Sequence, residues 1–273
     1  MKFIAPLLLL LCCAFASSAQ KKADTLFFEN FNGKTLDRSV WNVEVNNKAD
    51  NNEQQAYADS ARIIIIDNGQ LTVKPIYHPG YSQNRVKMND FVSGRINTRD
   101  KYEFIYGNIT ARMRVTAGEG LWPAVWLLGK GRWPDAGEID IMETVGDPTW
   151  ASNAIHGPTY HGNTPLLSRN TFEAGTDVTQ WHTYGVNIQP DLITFSIDDK
   201  VTYTVTKAMV EKYGTWVFDN KKYILLNLAL GGGYPQGVFK MKGPYPGLTE
   251  ATVNKIKAGQ ATFEVDWVSV TKN

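Results

Sequence analysis

Three carboxylates stand within six residues of an apolar, β-branched segment, Gly-Glu-Ile-Asp-Ile-Met-Glu-Thr at residues 137–144. The alternation predicts a buried strand on which Glu138 and Asp140 share one face while isoleucines pack behind them. Glu143 has the wrong parity, but a one-residue bulge at Met142 would bring it to the same face, and bulges commonly re-aim a side chain beside an active site. An ordinary strand with water-facing acids would not explain the apolar residues between them, because burying like charges together is costly.

Two carboxylates a short distance apart suit the cleavage of glycosides with retention of configuration. In that reaction roughly 5–5.5 Å separates a nucleophile from an acid/base. A third acid has a use there, since an Asp between the two can hydrogen-bond the nucleophile and help to set which carboxyl stays protonated. The spacing therefore favours a retaining glycosidase.

The same stretch resembles the E-x-D-x-x-E signature of glycoside hydrolase family 16, the laminarinase-like β-glucanases. The resemblance implies that Glu138 is the nucleophile, Asp140 its assistant and Glu143 the general acid/base. Branches of the family that read E-x-D-x-E lack the extra residue, so this chain has the longer, bulged form.

The resemblance extends over about residues 26–271. Two features depart from the family pattern: Ile188 stands where the family often has Trp, and the loop between Trp126 and Trp133 is short. The second departure concerns the shape of one end of the cleft. The similar segments are residues 51–57, 67–71, 93–96, 120–129, 133–137, 181–185, 197–199, 226–232 and 265–268.

Residues 1–19 have the form of a signal peptide, with an apolar run too short for a comfortable membrane span and a small-residue cleavage site. Both cysteines, Cys12 and Cys13, lie in this leader, so the mature chain cannot rely on disulfides or thiol metal sites. Lipid attachment at either cysteine is an alternative, although Leu11 is not the small residue that such processing favours. We expect a secreted or periplasmic protein in which residues 20–273 form a single catalytic domain.

The charges are balanced, with 28 basic and 27 acidic residues, so neither nucleic acid nor an anionic membrane is the expected partner. Aromatic residues make up 12% of the chain and include 8 Trp, which suits a cleft for neutral sugars. We therefore expect a monomer that binds a polysaccharide. The sequence shows no HExxH, phosphate loop, dinucleotide fingerprint or nucleophile elbow, so catalysis is predicted to need no cofactor.

Short Gly, Asn, Asp and Pro turns separate the apolar runs, a pattern typical of an all-β protein. Strands without intervening helices favour two stacked antiparallel sheets. The resemblance implies a β-jelly-roll sandwich whose concave sheet carries the substrate cleft. We predict a short helix at 207–213 and strands at 62–66, 70–75, 107–115, 124–128, 138–143, 182–188, 192–197, 223–230 and 262–270.

Five further residues are candidate substrate contacts. Trp133 lies just before the predicted strand that carries the three acids, and its ring could form a wall of the subsite beside the scissile bond. Trp126 could stack on a sugar or pack in the core, and Arg95 could bind paired hydroxyls or form a surface ion pair. Asn52 resembles a sugar-binding Asn of the family but could equally be a turn residue. His156 could hydrogen-bond near the acids or be structural.

The resemblance also implies a structural calcium ion on the convex sheet. Its oxygen ligands would be Glu29, the carbonyl of Gly69 and Asp266, a hard donor set that suits Ca²⁺. Ordinary surface carboxylates are the alternative.

The predicted activity is that of a secreted endo-β-glucanase that cuts β-1,3 bonds in laminarin-like or mixed-linkage β-1,3/1,4-glucans by double displacement. A retaining galactanase of the agarase or carrageenase type is the alternative enzyme. A non-catalytic carbohydrate-binding sandwich is disfavoured, because it predicts the loss of at least one acid.

Overall fold

Strands joined by turns and loops make up most of the described chain. The computed structural model describes residues 24–46, 50–81, 89–241 and 243–273, so the predicted signal peptide lies outside them. In chain order the strands are β1 (Thr25–Glu29), β2 (Asn42–Val43), β3 (Gln55–Tyr57), β4 (Ile64–Asp67), β5 (Gln70–Val73), β6 (Ile76–Tyr81), β7 (Asn89–Ser93), β8 (Arg95–Asn97), β9 (Gly107–Val115), β10 (Leu121–Gly129), β11 (Glu138–Glu143), β12 (Trp150–His156), β13 (Leu167–Thr171), β14 (His182–Gln189), β15 (Leu192–Ile197), β16 (Lys200–Thr206), β17 (Lys222–Leu230) and β18 (Phe263–Thr271). The helices are α1 (Lys207–Val210), α2 (Gly233–Phe239) and α3 (Glu250–Lys257).

The strands build two large antiparallel sheets of the predicted jelly-roll sandwich. The eight-stranded outer sheet has the order β16-β15-β14-β9-β18-β5-β4, with β1 also paired to β18. The seven-stranded cleft sheet has the order β13-β12-β11-β10-β17-β8-β2. A third, three-stranded sheet, β3-β7-β6, is tied to the cleft sheet by the bond from the Gln54 N–H to the Leu230 carbonyl. All the predicted strands are present, with ends shifted by a few residues.

The two sheets follow different side-chain patterns. In β9 the buried residues alternate with polar ones, because one face meets the core and the other meets solvent. In β10, Val125 and Leu127 are fully buried in the core, yet Trp122 and Trp126 on the opposite face are also apolar. That opposite face of β10 lines the cleft, which explains why the strand is apolar on both faces.

The predicted helix at 207–213 is only partly correct. The helix begins after Thr206, whose side chain accepts from the Met209 N–H, and it ends at Val210 in a turn. The longer helix α3 was not predicted, although Thr249 caps it and Glu250 lies in its first turn. Its few apolar positions gave a weak periodic signal. No helix of the described residues is long and apolar enough to cross a membrane.

Candidate active site

The predicted bulge in the acid strand is present. Against β12, Asp140 pairs with Ala154 and Glu143 pairs with Ser152, so Ile141–Met142 together stand opposite one residue. Against β10, Met142 pairs with Val125 and Asp140 pairs with Trp126, so the extra residue of the bulge is Ile141 rather than the predicted Met142. It corrects the parity, and all three acids of β11 line the same cleft.

The cleft continues on both sides of the three acids. On the side of β12 and β13 it encloses about 930 Å³. On the side of β17 and β8 it encloses about 500 Å³. A groove that passes across its reactive groups can hold a polymer with residues on either side of the cleaved bond. The first part is lined by residues that include Asn51, Trp122, Trp133, His156, Leu167, Arg169 and Tyr234, and the second by Tyr57, Arg95, Trp126 and Asn227.

Glu138 accepts a hydrogen bond from an indole and lies near an imidazole. Trp133 Nε1 donates to Glu138 Oε2 at 2.9 Å, and His156 Nε2 lies 3.9 Å from Oε1. Burial raises the pKa of Glu138, as does the neighbouring Asp140, whereas His156 and the indole N–H act in the opposite direction. Trp133 is 45% exposed and is therefore not a core residue.

Asp140 lies between the other two acids and is almost fully buried. Its Oδ2 is 3.0 Å from His156 Nε2, within ion-pair distance but not aligned as a hydrogen bond. Burial raises the pKa of Asp140. The structure thus places His156 beside the acids, as one of its two predicted roles required.

Glu143 has an indole donor of its own. Trp122 Nε1 donates to Glu143 Oε1 at 2.7 Å. Burial raises the pKa of Glu143 most, followed by the nearby Asp140, while the Trp122 N–H lowers it. Sequence reasoning missed Trp122 as a site residue, although its parity with Trp126 along β10 was an available signal.

The acids have no strong cationic partner. Among the ion pairs of the described residues, those that reach Glu138 or Asp140 come from His156 alone, and none reaches Glu143. Three clustered carboxyl groups without a lysine or arginine cannot all ionise cheaply, so protons are retained above the usual pH range.

Arg95 and Trp126 form one wall of the smaller part of the cleft. The Arg95 guanidinium lies 4.7 Å from the centre of the Trp126 ring, and its Nε is 3.2 Å from a carboxylate oxygen of Glu44. Trp126 Nε1 donates to Asn227 Oδ1 at 2.8 Å. Trp126 is thus on the cleft face and not in the core, and Arg95 is an ion-paired residue of the cleft wall.

The asparagine on the cleft is not the predicted Asn52 but its neighbour Asn51. The cleft lining includes Asn51 and not Asn52. Both residues have positive φ, 52° and 59°, in the loop before β3. Side chains do not alternate regularly in such a loop, so the sequence pattern could not indicate which of the two faces the cleft.

The three predicted calcium positions lie in the same region of the outer sheet. Glu29 pairs with Val268, and Leu71, two residues after Gly69, pairs with Val265, so both strands flank Asp266 of β18. Both Glu29 oxygens already accept hydrogen bonds from protein N–H groups, at 2.7 and 3.0 Å, and Asp266 is paired with Arg112. A cation would have to share these oxygens with their donors, so calcium binding stays a prediction.

A second possible ligand set lies among the acids themselves. Glu138, Asp140 and His156 offer three ligand atoms within 4.8 Å of one another. The predicted glycoside cleavage uses the same two carboxylates, so a cation bound there would occupy the reaction site.

Comparison with known proteins agrees with this geometry. The chain matches the family model of glycosyl hydrolases family 16 over residues 67–268. Glucan endo-1,3-beta-glucosidase A1 of Niallia circulans is 31% identical over 271 residues, which cover 89% of this chain and 37% of that protein. Glucan endo-1,3-beta-glucosidase of Cryptopygus antarcticus is 32% identical over 83% of this chain and 86% of its own length. The solved endo-beta-1,3-glucanase of Pyrococcus furiosus has a TM-score of 0.80 at 30% identity, covering 91% of this chain and 94% of that one. The acid strand, the jelly-roll sandwich and these matches together establish that the chain belongs to glycosyl hydrolases family 16.

Proposed function

We propose that the protein is a retaining endo-β-glucanase that hydrolyses β-1,3 bonds in laminarin-like or mixed-linkage β-1,3/1,4-glucans. The observation that carries this proposal is the arrangement of Glu138, Asp140 and Glu143 on one face of an open cleft, with an indole N–H bound to each outer acid. The cleft is open on both sides of the acids, which suits attack within a chain. The names of the matching relatives support a β-1,3-glucan as the substrate.

The two outer acids take different roles in this mechanism. Burial and the nearby Asp140 raise the pKa of both, and an indole N–H opposes that rise at each, so their pKa values do not separate the roles. We assign Glu138 as the nucleophile and Glu143 as the general acid from their order in the family signature, and the His156 imidazole, 3.9 Å from Glu138, favours the anion of that residue. Glu143 protonates the leaving oxygen while Glu138 attacks the anomeric carbon, which forms a glycosyl-enzyme.

The second half of the reaction reverses the proton transfer. Glu143, now ionised, takes a proton from water, which displaces Glu138 from the sugar and restores both acids. Asp140 lies between them, and in addition to burial its like charge raises the pKa of both neighbours, so it helps to set which carboxyl stays protonated. The net outcome is retention of configuration at the anomeric carbon.

The form of residues 1–19 supports secretion of the protein. Residues 1–19 are removed as a signal peptide, and the secreted or periplasmic protein acts as a monomer through a single catalytic domain at residues 20–273. Catalysis requires no cofactor, since two carboxyl groups supply the nucleophile and the proton.

Azide rescue of two alanine variants tests the assignment. Glu138→Ala and Glu143→Ala should each lower kcat on polysaccharide by on the order of 10²–10⁴-fold while the fold stays intact. On an activated glycoside, azide should give Glu138→Ala an inverted glycosyl azide and Glu143→Ala a retained one, because azide replaces only the missing role. Glu264→Ala, on the outer sheet, is the matched control and should keep normal kinetics. Full activity in either active-site variant would end the assignment.

Substrate class needs a separate measurement. Products should be analysed on pure β-1,3-glucan, mixed-linkage glucan, β-1,4-glucan, agar and carrageenan. Oligosaccharides should accumulate from the first two. Cleavage of agar or carrageenan alone would replace the glucanase by the alternative galactanase.

A further inference from the structure

The bulge that aims Glu143 leaves a gap in the backbone hydrogen bonding of the cleft sheet. Against β10 the register skips one position, which makes Ile141 the extra residue of the strand. Ile141 is fully buried. A buried carbonyl without a partner is strongly destabilising, so the bulge needs a hydrogen-bond donor from outside the ladder.

The side chain of Asn153 supplies that donor. Asn153 lies on β12 opposite the bulge and is only 1% exposed. Its Nδ2 donates to the Ile141 carbonyl at 2.6 Å. The residues on either side of it, Ser152 and Ala154, pair with acids of the cleft face, so Asn153 points between the two sheets. A side-chain amide thus donates to the carbonyl of the extra residue.

The amide of Asn153 is fixed from two other strands. Asn170 Nδ2, on β13, donates to Asn153 Oδ1 at 2.7 Å, and Thr202 Oγ1, on β16 of the outer sheet, donates to the same oxygen at 3.1 Å. If the amide flipped, its NH₂ group would face these two donors. The orientation that directs Nδ2 at Ile141 is therefore the one that satisfies the network.

We propose that Asn153 is the positioning residue that holds the bulge and thereby aims Glu143 at the scissile bond. Without the bulge, strand alternation would turn Glu143 towards the opposite face from Glu138. Asn153 touches neither substrate nor the reacting atoms and acts only through the backbone of Ile141–Met142. The inference rests on the proposed role of Glu143 as acid/base and adds the residue that keeps it in place.

The first test compares Asn153→Leu with Thr202→Val. Asn153→Leu removes the donor to Ile141, whereas Thr202→Val removes a link to the outer sheet and leaves that donor in place. Well below the melting temperature of each variant, Asn153→Leu should lower kcat on the order of 100-fold with little change in KM, because a displaced acid loses its reaction geometry. Thr202→Val should lower thermal stability and keep kcat. Normal kcat in folded Asn153→Leu, or an equal loss in Thr202→Val, would overturn the proposal.

Asn153→Asp provides a second test that does not depend on the Leu variant folding. A protonated aspartic acid can donate to the Ile141 carbonyl, but an ionised one presents oxygen to oxygen. The side chains that hydrogen-bond this position, Asn170 and Thr202, do not titrate. The ratio of the variant kcat to the wild-type kcat should therefore fall reversibly as pH rises, with unchanged circular dichroism. A ratio that stays constant with pH would contradict the proposal.

The proposed function and this inference can fail separately. If Glu143→Ala kept full activity, the acid/base assignment would be wrong whatever Asn153 does. If Glu143→Ala responded to azide as expected while the Asn153 variants had normal kcat, only the positioning role would be wrong.

Discussion

Two carboxylates of the outer sheet form ion pairs with arginines, whereas the three carboxylates of the cleft have no arginine or lysine partner among the described residues. On the outer sheet, Glu264 accepts from Arg114 at 2.7 Å, and Asp266 is paired with Arg112. Both guanidinium groups lie over the ring of Trp181, at 4.8 and 4.9 Å from its centre. Each negative charge therefore has a cation beside it, and these residues hold two strands of the outer sheet together.

In the cleft, three acids share one imidazole and two indole N–H groups. Glu138 and Glu143 each have an indole donor, and His156 lies nearest to Asp140. A full counter-charge would keep every carboxyl ionised and remove the proton that glycoside cleavage needs. The paired carboxylates of the outer sheet therefore stabilise the fold, and the unpaired carboxyl groups of the cleft carry out the reaction. Each of the following predictions tests this distinction.

Of the changes that compare the two regions, removal of the cleft indole Trp133 should have the largest effect on catalysis. Trp133→Ala should weaken transition-state stabilisation by on the order of 1–3 kcal/mol, taking base-on-aromatic stacking as an analogue for a sugar on an indole. Trp181→Ala is the matched control, which should lose stability and keep kcat/KM. Measuring melting temperature and kcat/KM on the same preparations separates the two outcomes. Equal catalytic losses in both variants would refute the distinction.

Trp133→Phe sharpens this first test. Phenylalanine keeps an aromatic face for the sugar but cannot donate to Glu138. Loss of that donor disfavours the carboxylate, so the pKa of Glu138 should rise and the acidic limb of kcat/KM should move to higher pH. An unmoved acidic limb would show that the Nε1 bond does not influence the nucleophile.

Matched Glu→Gln changes should alter stability with opposite signs. Burial raises the pKa of Glu143 from an ordinary value of 4.5 to about 8. Between those values the folded state holds a proton that the unfolded chain has lost, so this contribution to stability declines as pH rises through that window. Glu143→Gln is neutral at every pH and should stabilise the protein at pH 8 by on the order of 1 kcal/mol, with a smaller gain at pH 5.

Glu264→Gln provides the opposite case. The change removes the charge of a partly exposed ion pair, so the free energy of unfolding should fall by about 0–1 kcal/mol, and less in high salt. Thermal denaturation of both variants at pH 5 and pH 8 checks the two signs. Destabilisation by Glu143→Gln at pH 8 would mean that the cleft carboxyls are compensated as well as those of the outer sheet.

The last test concerns calcium and separates stability from catalysis. Free Ca²⁺ at a few times its Kd should stabilise the native state by about 1 kcal/mol through linkage, without changing kcat. Asp266→Ala should remove the response. An unmoved melting temperature in metal-free protein given excess Ca²⁺ would exclude the predicted ligands Glu29, Gly69 and Asp266.

Several features of the site were accessible from local sequence. The alternation around Glu138 and Asp140 predicted their common face, and the parity of Glu143 predicted a bulge. Trp133 lies only five residues before Glu138, so its proximity followed from chain connectivity, and the structure adds a hydrogen bond between them. These predictions succeeded because each depends on neighbours within one strand or turn.

Other features depend on register between distant segments. Trp122 reaches Glu143 across 21 residues of chain, and Thr202 reaches Asn153 across 49. Neither pair has a local signature, since a shift of one residue in pairing would reverse the face of every side chain. The choice of Asn51 over Asn52 depends on two left-handed residues in a loop, where no periodic rule applies.

By itself, the sequence determined the strand-rich character of the protein, the position of its acids and the need for a bulge, because hydrophobic periodicity and side-chain parity are properties of a single segment. Only the tertiary structure decided which indole binds which acid, which amide satisfies the bulged carbonyl and which carboxylates receive a cation. Those outcomes depend on how strands far apart in the chain pair and pack, and the free energy that sets them comes from the whole sandwich core.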